Sequence, residues 1–111
     1  MAEITFNDFK KLEIRTGTII DANLNHKAIK PSYKLIIDFG AFGTKISSAQ
    51  ITKNYCPEDL VGLQILAVVN LSSRRVAGVK SEVLVLGVYS QNKDVVLLTP
   101  AELVEDGSLV G

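Results

Sequence analysis

The stretch from Gln64 to Val88 constrains the fold more than any other, because two aliphatic runs enclose a short, strongly basic segment. Gln64 to Val69 and Val83 to Val88 are rich in β-branched and aliphatic residues, which suit a pleated and largely buried surface. Both predict strands. Between them, Asn70-Leu-Ser-Ser-Arg-Arg-Val-Ala-Gly-Val-Lys-Ser-Glu reads as a loop holding Arg74, Arg75 and Lys80. Gly78 gives that loop a point where the backbone can take positive φ or approach a ligand closely. The guanidinium groups of Arg74 and Arg75 are forked donors matched to phosphate oxygens, so the expectation is a cationic finger on a rigid base.

The rest of the chain is punctuated as an all-β domain with two short helices. Thr5 is expected to cap a helical turn over Phe6 to Leu12, with Asp8 completing a loose capping box and Phe9 and Leu12 facing inward. Ile14 to Ala22 reads as a strand in which Gly17 marks a bulge or the bend of a small barrel. After a polar loop with Pro31, Tyr33 to Phe39 and Thr44 to Ala49 form a hairpin turned by Gly40-Ala-Phe-Gly43. Pro57 to Val61 has proline at its first position, acids in its first turn and Gly62 beyond its end, the signature of a short helix. Tyr89 to Asp94 turns into Val95 to Leu98, and beyond Pro100 an extended edge segment runs through Leu109 and Val110. Five core strands with a helix between the third and fourth is the order of an OB-fold barrel, here with an N-terminal helix and a C-terminal extension.

A chain of 111 residues reads as one domain, 1–111, that buries roughly two-thirds of its extended surface. Hydrophobic residues make up 47% and the mean hydropathy is +0.24, high for a small monomer, which points to a subunit interface. The apolar runs are too short for a membrane span, and the first residues lack a basic region followed by an apolar stretch. Cys56 is the single cysteine and cannot form an internal disulfide, so a reducing cytoplasm is the default location. Net charge is zero, yet the charges are segregated. Ala22 to Lys93 holds nine bases (Lys27, Lys30, Lys34, Lys45, Lys53, Arg74, Arg75, Lys80, Lys93) and four acids, whereas Asp94 to Gly111 holds four acids and no base. The alternatives are a plain solvated surface and a basic face set opposite an acidic one.

Nothing in the chain assembles into a catalytic or metal-binding constellation. His26 and Cys56 are isolated in different segments, with no paired carboxylates, metal-ligand spacing or glycine-rich phosphate loop around them. The expectation is a non-enzymatic protein without cofactor or metal. Cys56 precedes a helix, whose N-terminus can lower a thiol pKa, but capping or half-burial is the plainer use.

Asp8-Phe-Lys-Lys-Leu-Glu-Ile-Arg-Thr-Gly17, Lys30-Pro-Ser-Tyr-Lys-Leu-Ile-Ile-Asp-Phe-Gly40, Ser48-Ala-Gln-Ile51 and the basic segment resemble, in order and spacing, the tRNA-binding domain family. That family includes stand-alone tRNA-binding proteins, the C-terminal dimerising domain of methionyl-tRNA synthetases, and CsaA-type proteins described as export-related chaperones. Arg74 to Gly87 resembles the CsaA branch most, since Val83-Leu84 stands where the general domain commonly has Gly-Met. Two departures are Ser72-Ser73, where that branch usually carries prolines, and the His26 to Lys30 loop.

The resemblance implies an OB-fold homodimer, with residues 94–111 contributing to dimerisation, that grips the outside of folded tRNA. It places Asn70, Arg74, Arg75, Lys80 and Ser81 in the family's binding motif and matches Ser48 and Gln50 to positions at the end of the third strand. In an OB-fold, nucleic acid meets the loops between strands one and two and between four and five. Lys27, Lys30 and Lys34 fall in the first loop, Arg74, Arg75 and Lys80 in the second. Six phosphate contacts would give a log-log salt slope of roughly −4 to −5. Each residue also has a plainer use: Asn70 in a turn, Ser48 and Ser81 as hydroxyls bonded to backbone, Glu82 paired with Arg74 or Arg75, and Tyr33 in the core rather than as a stacking surface. The family offers a second role of another class, a chaperone that holds preproteins or unfolded polypeptides.

Overall fold

A computed structural model describing residues 1–111 is built around one long strand at the centre of a five-stranded sheet. β1 (Ile14–Leu24) pairs through its first half with β4 (Gln64–Val68) and through its second half with β2 (Tyr33–Asp38). The register slips between Ile19 and Asp21, so a bulge bends the strand and lets the sheet curl. β2 pairs along its whole length with β3 (Thr44–Ala49), reached through a single 3₁₀ turn, Gly40–Phe42. Burial along β2 alternates strictly: Tyr33, Leu35 and Ile37 point inward and Lys34, Ile36 and Asp38 outward, as period-two side-chain geometry requires. α2 (Pro57–Leu60) drives Leu60 into the interior. Ile19, Leu35, Ile37, Phe39, Leu60 and Ile65 are fully enclosed there. With β7 (Leu84–Val85) on the far side of β4, the antiparallel order is β3-β2-β1-β4-β7, the nearly closed five-stranded barrel that the element order anticipated. Side chains and backbone share the closure: the Ser47 hydroxyl donates to the Val83 carbonyl (3.0 Å), Ser81 Oγ accepts from Ser48 N–H (3.1 Å), and the Glu82 backbone N–H donates to the Ile46 carbonyl (2.7 Å).

Four expectations change. Gly17 is not at the bulge; it lies in regular pairing opposite Ile65, and a Cβ there would stand 2.6 Å from the Phe39 ring and 2.7 Å from Ile37. Its role is to leave room for the core. The run Val83 to Val88 is not one strand: β7 stays with β4, whereas β8 (Gly87–Tyr89) departs to pair with β9 (Val95–Leu97). The division falls at Leu86, whose N–H bonds back to Leu66 while its carbonyl takes the Leu98 N–H. The basic segment is not a loop but a hairpin of β5 (Arg74–Val76) and β6 (Val79–Ser81). Its turn residues Ala77 and Gly78 have φ of 48° and 84°, the positive pair that a type I′ turn needs. Finally, α1 (Phe6–Lys10) buries none of its residues; Phe9 is half-buried and Leu12, at 43% exposure, does not face inward.

The helix holds instead through its cap. Thr5 Oγ1 accepts from Asp8 N–H, and Asp8 Oδ2 accepts from Thr5 N–H, a complete capping box. The Thr5 backbone bond, then Lys11 and the Thr5 hydroxyl, hold the Asp8 carboxyl below its ordinary range. A carboxyl with a depressed folded pKa stabilises above its unfolded value, near 3.9, and that contribution disappears as pH falls through the folded value. We expect the α1 amides to lose exchange protection over that acidic window while the barrel amides stay protected. Equal loss in an Asp8→Asn variant would show the cap to be irrelevant.

Residues 107–110 seal β1. Thr16 N–H donates to the Ser108 carbonyl (3.0 Å), Gly107 N–H to the Thr16 carbonyl (2.7 Å) and Val110 N–H to the Ile14 carbonyl (2.8 Å). Thr18 and Gln64 bind the Asp106 carboxylate at 2.7 Å and 2.9 Å. No helix is long and apolar enough to cross a membrane.

Candidate nucleic-acid interface

The β5–β6 hairpin sorts its cations by face. Arg74 pairs with Ser81, Arg75 with Lys80 and Val76 with Val79. Because side chains alternate along a strand, Arg74, Ser81, Val76 and Val79 share one face and Arg75 and Lys80 the other. Two like charges directly opposite each other on exposed strands repel. No acid relieves this pair: the ion pairs are Lys11–Asp8, Arg15–Glu13 and Lys53–Asp94. Arg74, Arg75, Lys80, Lys27, Lys30, Lys34 and Lys93 therefore all stand without a carboxylate in ion-pair range. Glu82 does not pair with the arginines; its carboxylate accepts from Ile46 N–H at 3.1 Å as part of the barrel closure.

The two basic segments meet. Asn25 Nδ2 donates to the Ala77 carbonyl (3.3 Å), and the Lys27 side chain lies 3.6 Å from the Cβ position of Gly78, at the hairpin's tip. Lys27 and Lys30 line a cavity of about 360 Å³ with Gln50 and Val76, and Ser32 on its wall has a buried hydroxyl without a partner. Ser48 and Arg74 line a second cavity of about 410 Å³ with Ser81 and Leu84. Lys34 stands on the outer face of β2 with Ser48 as its cross-strand neighbour. Lys30, Lys34, Ser48, Gln50, Arg74 and Ser81 thus gather on one wall, with Arg75 and Lys80 on the hairpin's opposite side.

Some candidates are already engaged. The Asn70 amide is committed to the backbone: its Oδ1 accepts from Glu13 N–H (2.8 Å) and its Nδ2 donates to the Lys11 carbonyl (2.6 Å), clamping the junction of α1 and β1. Ser81 Oγ is used in barrel closure, whereas the Ser48 hydroxyl and the Gln50 amide make no hydrogen bond within the chain. Tyr33 belongs to the core, its hydroxyl donating to the Tyr55 carbonyl at 2.7 Å. Cys56 stands at the N-cap of α2, but its side chain makes no capping bond and it is exposed rather than half-buried; its thiol donates to Asp59 Oδ2 at 2.8 Å, and hydrogen bonding to Asp59, then Glu58, pushes its pKa up instead of down. The sequence reading passed over Tyr89 and Lys93, which line the neighbouring groove. The one signal available was an exposed-type aromatic immediately before a polar turn.

Such a barrel, with basic side chains from two distant segments meeting beside one hairpin, is of the OB-fold class. Residues 14–109 match the family described as "Putative tRNA binding domain", and the chain belongs to it. It is similar over nearly its whole length to two solved structures. One is the chaperone CsaA of Bacillus anthracis (51% identity, 99% of this chain, 100% of that chain, TM-score 0.94) and the other the CsaA chaperone protein of Picrophilus torridus (46%, 98%, 100%, 0.92). It is also 38% identical over 108 residues to a methionine–tRNA ligase of Porphyromonas gingivalis, covering 97% of this chain but 16% of that protein. The chain therefore spans about a sixth of the length of the ligases it matches.

Proposed function

We propose that the chain binds folded tRNA without catalysing a reaction on it, as a cytoplasmic homodimer. The observation that carries this reading is the junction of the Lys27–Lys34 segment with the tip of the β5–β6 hairpin, where neighbouring cations lack acids. A polyanion of phosphates supplies the missing counter-charge, and Arg is suited to grip it bidentately. Arg74, Arg75, Lys80, Lys30 and Lys34 are assigned to phosphates, and Ser48 and Gln50, with free polar groups, to sugar or base. Asn70 and Ser81 hold the hairpin's surroundings in place. For the dimer, exposed Ile4, Phe6 and Leu12 before β1 and Leu103 and Leu109 in residues 94–111 supply apolar surface near the same sealed strand.

The double variant Arg74→Ala with Arg75→Ala is expected to weaken tRNA binding at least tenfold in low salt, about 1.4 kcal/mol. Unchanged affinity in a mobility-shift titration would rule the reading out.

A second reading rests on the whole-length likeness to two proteins described as CsaA chaperones, together with the exposed apolar side chains. In it the chain holds preproteins or unfolded polypeptides for export. The double variant should then still suppress aggregation of a denatured client at stoichiometric ratio. Absence of suppression by the unaltered protein counts decisively against this role.

A further inference from the structure

The wall just described continues into a trough of about 360 Å³ between the β5–β6 and β8–β9 hairpins. Eight of its twelve lining residues are hydrophobic, among them Ile51, Val76, Leu84, Val85 and Tyr89; Arg74 and Lys93 also line it and no carboxylate does. Tyr89 is 79% exposed and its ring stacks on no other aromatic, since the one ring pair of the chain is Phe6–Phe9. Tyr33 is buried and Tyr55 half-buried, so this trough holds the chain's one freely presented tyrosine. Gln50, with an unused amide, lines both the trough and the Lys27–Lys30 cavity beside it, offering both a donor and an acceptor. Lys93 sits at φ 63°, a left-handed conformation that glycine or asparagine usually takes, at the end of a turn in which its N–H donates to the Ser90 carbonyl (2.9 Å).

We propose that this trough receives the base of an unpaired nucleotide, stacked on Tyr89, with its flanking phosphates on Arg74 and Lys93. The proposal rests on the polyanion reading and names what that site selects. An apolar peptide would fill the same walls but leave two cations partly desolvated with no counter-charge, which is costly. A nucleotide satisfies both: every base has a π-face for the tyrosine, and its phosphates meet the cations. The volume lies within the range of about 300–1,000 Å³ typical of small-molecule sites.

The test uses the full chain and a short single-stranded oligoribonucleotide carrying 2-aminopurine, with a matched strand abasic at that position. The unaltered protein should quench the 2-aminopurine fluorescence and bind the intact strand more tightly than the abasic one. Tyr89→Leu should weaken the intact strand about fivefold or more and leave the abasic strand unchanged. Lys93→Gly, which removes the charge and relaxes the positive φ, should weaken both. Equal affinity for the two strands, or indifference to Tyr89→Leu, would overturn the proposal. So would an apolar peptide that binds more tightly than the strand and loses affinity in Tyr89→Leu. Bulk tRNA separates the two levels: if Arg75→Ala with Lys80→Ala leaves its binding unaltered, the polyanion reading fails. If that variant weakens tRNA while the fluorescence stays unquenched, the base site alone fails.

Discussion

Replacing Arg75 and Lys80 together by glutamate is expected to lower affinity for tRNA about a hundredfold at low salt, more than any neutral substitution on either face of the hairpin. The two side chains are direct cross-strand partners on the exposed face of the hairpin, and no acid lies in ion-pair range of either. Removing two phosphate contacts accounts for roughly tenfold, and setting two negative charges in their place accounts for a comparable factor again. The log-log salt slope should shrink by about 2, one unit for each lost contact. The fold should tolerate the change, because it replaces one like-charge pair by another on a solvated surface. Titrations across a range of salt concentrations check both numbers together. A large loss of affinity with an unaltered slope would mean that the hairpin had been misplaced rather than stripped of phosphate contacts.

The second large effect concerns stability. Gly17→Ala should destabilise the protein by about 3 kcal/mol, at the top of the range for overpacked cores. The added Cβ would lie 2.6 Å from Phe39 and 2.7 Å from Ile37, both fully enclosed and unable to swing toward solvent. For a domain of this size that corresponds to a fall in Tm of roughly 12–24 °C. Phe39→Leu alone also destabilises, but Gly17→Ala with Phe39→Leu should lose less than the two singles added together, since the smaller side chain gives the methyl room. Strict additivity in urea unfolding would mean that the steric account is mistaken.

Local chemistry made much of this architecture readable. The Thr5–Asp8 capping box, the proline-led helix at Pro57 and the strict alternation over Tyr33 to Asp38 are short-range signals, and each element lies where its signal placed it. The errors came from long-range packing. Nothing near Gly17 in the chain announces that Phe39 needs its space, and nothing in Val83 to Val88 announces that Leu86 will be drawn between Leu66 and Leu98. The hairpin was read as a loop because Ala77 occupies a turn position where asparagine is the usual signal. For the interface, Arg74, Arg75, Lys80 and Lys30 were legible as charge, but that the arginines lack an acid was not, since Glu82 nearby in the chain suggests a pairing that the backbone N–H of Ile46 takes instead. Asn70 was not, because its engagement depends on backbone groups of Lys11 and Glu13, nearly sixty positions away. That Tyr89 and Lys93 stand beside Arg74 was not legible for the same reason: only the approach of two hairpins makes them neighbours.

The strip from Gly107 to Val110 that bonds to Ile14 and Thr16 has a temporal consequence. During synthesis the opening strand leaves the ribosome early, yet its free edge waits for more than ninety further residues before its last hydrogen-bonding partner exists. A nascent chain halted before that strip carries a row of open amides and carbonyls, able to recruit an extended segment from a neighbouring molecule. Synthesis of residues 107–110 therefore ends this vulnerability, and ribosomes stalled between β1 and that strip should yield a stickier polypeptide than those that have passed it.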